Sequence, residues 1–154
     1  MDDLTGMTAT ELARAIRERR ASSTEVVQAH LTRIEQRNPA LNAVITLDAE
    51  GALQLARQAD ARIAGGPVDA GALPLLGVPL TLKDCHETAG MLTTCGHPPL
   101  AGHVPEEDGT VAARLRAAGA IVMGKTNVSE LLADAQSSNP LFGRTNNPWN
   151  LERT

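Results

Sequence analysis

Two short, nearly uninterrupted apolar runs constrain this chain more than any other feature: residues 78–82 (VPLTL) and 120–123 (AIVM). A strand buried on both faces reads as a continuous apolar run, not as an alternation. Between the runs, residues 110–118 carry Val111, Leu115 and several alanines at helical spacing, with Asp108 in a capping position and Gly119 where a C′ glycine belongs. Strand, helix and strand in that order predict a right-handed parallel crossover, hence an α/β fold.

The chain before this unit has a different character. Thr8 with Glu11, and Ser22 with Glu25, are both spaced as capping boxes. They predict a helix from Ala9 to about Arg19 with Leu12 and Ile16 inward, and a second carrying Val27, Leu31 and Ile34 that stops before Asn38-Pro39. Residues 42–47 (NAVITL) read as a short strand, and Asp48 caps a third helix over 49–63 with Leu53 and Leu55 to pack. Gly65-Gly66-Pro67 ends it. A short helix is expected over 129–134, followed by a polar loop from Gln136. The expected organisation is one incomplete domain over 1–154: a helical N-terminal layer over 1–64 and the start of an α/β core over 65–154.

Composition narrows the function. The 154 residues hold 14 Lys plus Arg against 18 Asp plus Glu, a net charge of −4. That argues against nucleic acid and against an anionic membrane surface as partners, because both need a positive stripe. No apolar run approaches the ~20 residues of a membrane span. Residues 1–10 are acidic and polar, unlike a signal peptide, so a cytoplasmic location is expected. Phe142 and Trp149 are the only aromatic residues, so the core must be built from Ala, Val, Leu and Ile.

Several patterns carry candidate chemistry. Residues 119–126 (GAIVMGKT) match a phosphate-loop spacing, but the four intervening residues are the apolar strand itself, whose N–H groups belong to the sheet. Cys85, His86, Cys95, His97 and His103 crowd one long aperiodic stretch, yet their spacings are not those of a zinc site, and no metal or cofactor is expected. His30 lies on a helix beside Val27 and Ile34 and reads as a packing or surface histidine. Ser137 and Ser138 lack the elbow sequence of a nucleophile. Lys83 ends the run 77–82, and strand ends are where open α/β sheets place ligands. Two readings stand: a desolvated amine poised as a general base, or a surface lysine paired with Asp84.

Taken together, residues 76–84 (LGVPLTLKD), 89–94 (AGMLTT), 109–127 (GTVAARLRAAGAIVMGKTN) and 137–149 (SSNPLFGRTNNPW) resemble the amidase signature family, in order, over roughly residues 5–154. The resemblance implies the N-terminal part of the amidase signature fold, a helical layer plus a few strands of a larger mixed sheet. It implies an amide hydrolase with a Ser-Ser-Lys triad acting through an acyl-enzyme. Lys83 matches the family's lysine. Leu132 matches a position whose backbone carbonyl faces the substrate amide, and Ser138 lies in the adjoining loop. Cys85, His86 and Glu87 depart from the residues common there.

In the family a Gly- and Ser-rich segment carrying both serines follows the Asn-Pro-Trp motif. This chain stops at Thr154 before it. The expectation is a fragment, about a third of an amidase, inactive alone. Its implied partners are a small-molecule amide and either the C-terminal part or a second copy. A non-catalytic binding or scaffold protein derived from an amidase is the alternative, and a small metal protein the third class.

Overall fold

The computed structural model describes residues 3–154. Both capping boxes form. The Thr8 N–H donates to Glu11 Oε2 at 2.7 Å and opens α1 (Ala9–Arg17); the Ser22 N–H donates to Glu25 Oε2 at 2.8 Å and opens α2 (Ser23–Leu41). α1 ends two residues earlier than expected, and Arg19 beyond it takes a left-handed φ of 56°.

α2 runs through Pro39, where the sequence predicted a stop. Proline removes one bond to the carbonyl four residues back. Here that residue is Glu35, which is exposed, as is Pro39 itself. Asn38 then fastens the exit: its Oδ1 accepts the N–H groups of Ala43 and Val44 at 2.9 and 2.8 Å. These bonds aim the chain into β1 (Val44–Leu47).

Asp48 caps α3 (Ala49–Ala64) as expected, accepting from the Gly51 N–H at 2.9 Å. α3 buries Ala52, Ala56, Ala59 and Ile63, whereas Leu55 faces solvent. β2 (Pro79–Lys83) and β3 (Ile121–Thr126) pair in parallel, joined by α4 (Thr110–Ala117). β1 runs antiparallel on the other side of β3, giving the order β1-β3-β2. The sheet is therefore mixed, with β3 central. β3 extends three residues past the expected run, through Gly124, Lys125 and Thr126.

Asp108 does not cap α4. Gly109 occupies that place, and Asp108 instead takes both carboxylate oxygens to Arg116 at 2.9 Å and accepts the Ala89 N–H. Val111 is exposed rather than inward. Gly119 does end the helix, at φ 89°, and a Cβ there would lie 2.8 Å from Leu76 Cα.

Alternation along β3 splits the core. Ile121 and Met123 face α2 and α3, meeting Val27, Leu31, Ala52 and Ala56. Val122 faces the other way and packs with Leu82, Met91 and Ala112 of α4. A third cluster joins α1 to α3 through Leu12, Ile16, Val26 and Ile63. No aromatic ring enters these clusters, and Trp149 is 95% exposed. Among the described residues no helix is long and apolar enough to cross a membrane.

Past β3 the expected helix over 129–134 is one 3₁₀ turn (Glu130–Leu132). The expected polar loop contains a small hairpin, β4 (Ser138–Asn139) with β5 (Gly143–Arg144). Asn127 and Asn139 hold it: Asn139 Nδ2 donates to Asn127 Oδ1 at 2.6 Å, and Asn127 Nδ2 donates to the Gly143 carbonyl at 3.0 Å.

Candidate active site

Polar residues gather where β2 and β3 end together. Adjacent strand residues point to opposite faces. Lys83 is exposed, while the next residue, Asp84, is fully buried. The sequence-based readings of Lys83, as a desolvated amine or as the partner of Asp84, therefore both fail in this chain: the side chain meets solvent, and Asp84 turns inward.

The lysine that is buried is Lys125, at 0% exposure. Its ammonium donates to Thr93 Oγ1 at 2.6 Å and to the His86 carbonyl at 2.7 Å. Burial lowers its pKa from the ordinary value, and the charges of Asp84 and Glu87 hold it partly back. Sequence reasoning met Lys125 only as part of the phosphate-loop pattern. That pattern carries no phosphate cradle, because residues 121–126 are spent on the sheet. A signal was present: this lysine lies between the apolar runs Ile121–Met123 and Val128, where a charge is costly to strand.

Asp84 is tied to the loop opposite. Its Oδ2 accepts from both the Thr94 N–H and the Thr94 hydroxyl, and its backbone carbonyl accepts the Cys95 N–H at 2.9 Å. Its Oδ1 has no hydrogen-bond partner among the described residues. Cys95 sits at φ 51°, and its carbonyl accepts the Leu131 N–H at 2.8 Å. Cys95 thus links the segment of Lys83 and Asp84 to the segment of Leu131 and Leu132. Gly96 packs so closely on Asn139 that a Cβ would come within 2.7 Å of that side chain. Through these contacts the three predicted site residues, Lys83, Leu132 and Ser138, lie on segments that surround one loop, residues 93–97. No hydrogen bond joins their side chains among the described residues.

The Leu131–Leu132 backbone is strained, with φ of 49° and 60°. Each such residue costs roughly 1–3 kcal/mol and persists only where its surroundings over-determine it. Here the Cys95 carbonyl holds Leu131, the Ser129 carbonyl holds the Leu132 N–H at 2.9 Å, and His97 Nδ1 pairs with Glu130 Oε1 at 2.8 Å. Leu132 is 47% exposed and Ser138 is exposed, so both meet the space outside the loop.

The other candidate ligands disperse. His103 Nε2 pairs with Glu87 at 3.0 Å, and His30 Nδ1 lies 2.9 Å from the Val26 carbonyl of its own helix. No three His, Cys, Asp or Glu side chains converge in metal-binding geometry among the described residues. Burial pushes the Cys95 thiol up, and neighbouring Cys85, Asp84 and Glu87 add to the effect.

A mixed α/β layer, with its polar groups collected at the C-terminal ends of parallel strands, places this molecule among α/β proteins whose chemistry is carried by strand-end loops. The chain belongs to the amidase family: the family model described as Amidase matches residues 25–154. A glutamyl-tRNA(Gln) amidotransferase polypeptide of Acidothermus cellulolyticus is 47% identical over 153 residues, covering 99% of this chain and 30% of that protein. Among solved structures, fatty acid amide hydrolase aligns with TM-score 0.88 at 28% identity, over 96% of this chain and 26% of that one. The native peptide amidase from Stenotrophomonas maltophilia aligns with TM-score 0.84 at 33% identity, over 97% and 31%. The chain spans about 30% of the length of the curated relatives it matches.

Proposed function

We propose that this chain carries the lysine arm of an amide-hydrolysing site of the Ser-Ser-Lys kind, residues 1–154 forming one incomplete amidase domain. The observation that carries the reading is the position of Lys83: it closes parallel strand β2, beside β3, on the rim of the loop that also anchors Leu131. In the complete site Lys83 is covered, loses hydration and works as a neutral amine. It takes a proton from a middle serine, which deprotonates the nucleophilic serine. The nucleophile attacks the amide carbon, the amine or ammonia leaves, and water releases the acyl group. Both serines belong to a segment that has no counterpart here.

Leu132 offers its backbone carbonyl to the substrate amide, which is what the strained φ of this pair would serve. Ser138 lines the adjoining wall. The substrate class is a carboxamide, with ammonia released to water or handed to a partner. The proposed partner is the remaining part of the domain, over the exposed Leu131, Leu132 and Trp149. A single triad member cannot perform covalent catalysis, so the chain alone turns over no amide.

A second reading, a non-catalytic scaffold derived from an amidase, is favoured by the exposure of Lys83 in this chain. One experiment separates the two. The chain is co-expressed with the remaining two-thirds of the Acidothermus cellulolyticus relative, and ammonia release from simple amides is measured. Release that disappears in Lys83→Ala supports the catalytic reading. A complex that releases no ammonia, or that is indifferent to Lys83→Ala, supports the scaffold. Turnover by the isolated chain above its own Lys83→Ala control refutes the inactivity of the fragment.

A further inference from the structure

Cys85 and Cys95 are free thiols, both half-buried. Neither side chain supplies the hydrogen bonds that hold the strand end, and neither enters the proposed reaction. Their placement is nonetheless specific. Three bonds zip residue 84 to residues 94 and 95: Thr94 N–H and hydroxyl to Asp84 Oδ2, and Cys95 N–H to the Asp84 carbonyl at 2.9 Å. Backbones joined by an N–H to carbonyl bond run about 5 Å apart, and one residue along the chain adds at most ~3.8 Å. Disulfides need Cα atoms roughly 4.4–6.8 Å apart. Cys85 follows Asp84 directly, so it is one residue out of step with Cys95 on the facing segment. After burial itself, Cys85 is the neighbour that weighs most on the Cys95 thiol.

We propose that Cys85 and Cys95 form a modification site, a thiol pair that closes to an intrachain disulfide by exchange with a small-molecule disulfide. The step balances. One cysteine thiolate attacks the reagent disulfide, forming a mixed disulfide and expelling one thiol. The second cysteine thiolate attacks the mixed disulfide at the protein sulfur and expels the other. The protein loses two hydrogens and two electrons, and the reagent disulfide is reduced to two thiols. Closure staples the segment just after Lys83 to the loop that carries Thr93 and Thr94. It rests on the fold alone and stands whether or not the chain serves amide hydrolysis.

The test treats the reduced chain with oxidised glutathione and reads intact mass and free thiols. The expected product has lost two hydrogens, keeps no glutathione and has no titratable thiol. Both cysteines lie on one tryptic peptide, between Lys83 and Arg114, so a Glu-specific protease is used; it cuts after Glu87 and separates them. The two peptides should stay joined until reduced. Cys85→Ser and Cys95→Ser should each retain one glutathione and form no bridge. Closure should speed up with rising pH, because the thiolate is the attacking species. Two retained glutathiones per chain, dimers linked between chains, or untouched thiols in the folded protein would overturn the assignment. Should one serine variant fail to fold, the other variant and the peptide map decide alone.

Discussion

The Lys125 ammonium donates to the Thr93 hydroxyl at 2.6 Å inside a fully buried strand end. That hydroxyl in turn donates to the Met91 carbonyl at 3.1 Å, so Thr93 both receives the charge and fixes the loop that covers it. Replacing Thr93 with valine keeps the shape and removes the acceptor. The Lys125 ammonium is then left with the His86 carbonyl. A buried group losing one partner costs about 1–3 kcal/mol. Urea unfolding of Thr93→Val should show a loss of that size with an unchanged m value.

The two lysines at this strand end should behave oppositely. Lys83→Ala removes an exposed side chain that pairs with no carboxylate among the described residues, and should leave stability within about 0.5 kcal/mol. Lys125→Ala strips the cation from beside buried Asp84 and should cost about 3–5 kcal/mol. Thermal melts of both variants check the contrast. Equal losses would mean that the burial pattern is wrong.

Lys125 also sets a pH dependence. Its folded pKa lies below the ordinary 10.5, because burial disfavours the ammonium. Between the folded value and 10.5 the unfolded chain binds more protons than the folded one, so this group's contribution rises with pH across that window. Cys95 works against it: its thiol is raised above 9.0, so its contribution is lost as pH climbs through the folded value. The difference between the parent and Lys125→Met isolates the lysine. Stability differences from urea midpoints should move in favour of the parent as pH approaches 10.5.

The capping carboxylates titrate in the opposite sense. Glu11 and Glu25 both lie below the ordinary 4.5, each held first by a backbone N–H, of Thr8 and of Ser22, and then by the hydroxyl of the same residue. Each contributes stability above the unfolded pKa and loses it as pH falls through the folded value. Carbon-detected NMR titration should place both midpoints under 4.5. Thr8→Ala should raise the Glu11 midpoint and leave Glu25 unmoved.

Gly119 permits the sharp exit from α4. Any side chain there meets a left-handed φ of 89° and the Leu76 backbone at 2.8 Å. Gly119→Ala should cost at least about 2 kcal/mol, read by denaturant unfolding.

The caps and strands were legible because their causes are local. Thr8 with Glu11 and Ser22 with Glu25 close within three residues, and the apolar runs 78–82 and 120–123 carry their own burial signal. Pro39 misled because its cost depends on whether the unserved Glu35 carbonyl faces water and on the bonds Asn38 makes to Ala43 and Val44. Asp108 misled because Arg116, eight residues away, competes for its carboxylate. Leu55 and Val111 have the right residue type but lie outside the buried arc of their helices.

Residue order alone established the α/β class, both capping boxes, the crossover from β2 to β3 and the amidase resemblance, since each depends on spacing within a short segment. Only the tertiary structure decided which lysine is desolvated. Lys83 and Lys125 both stand near the polar end of an apolar run, and no local pattern separates them. The strand alternation sends Lys83 outward, and the return of residues 86–94 over β3 encloses Lys125 between Thr93 and the His86 carbonyl. Burial is a property of what folds over a residue, and that cover comes from more than thirty positions away.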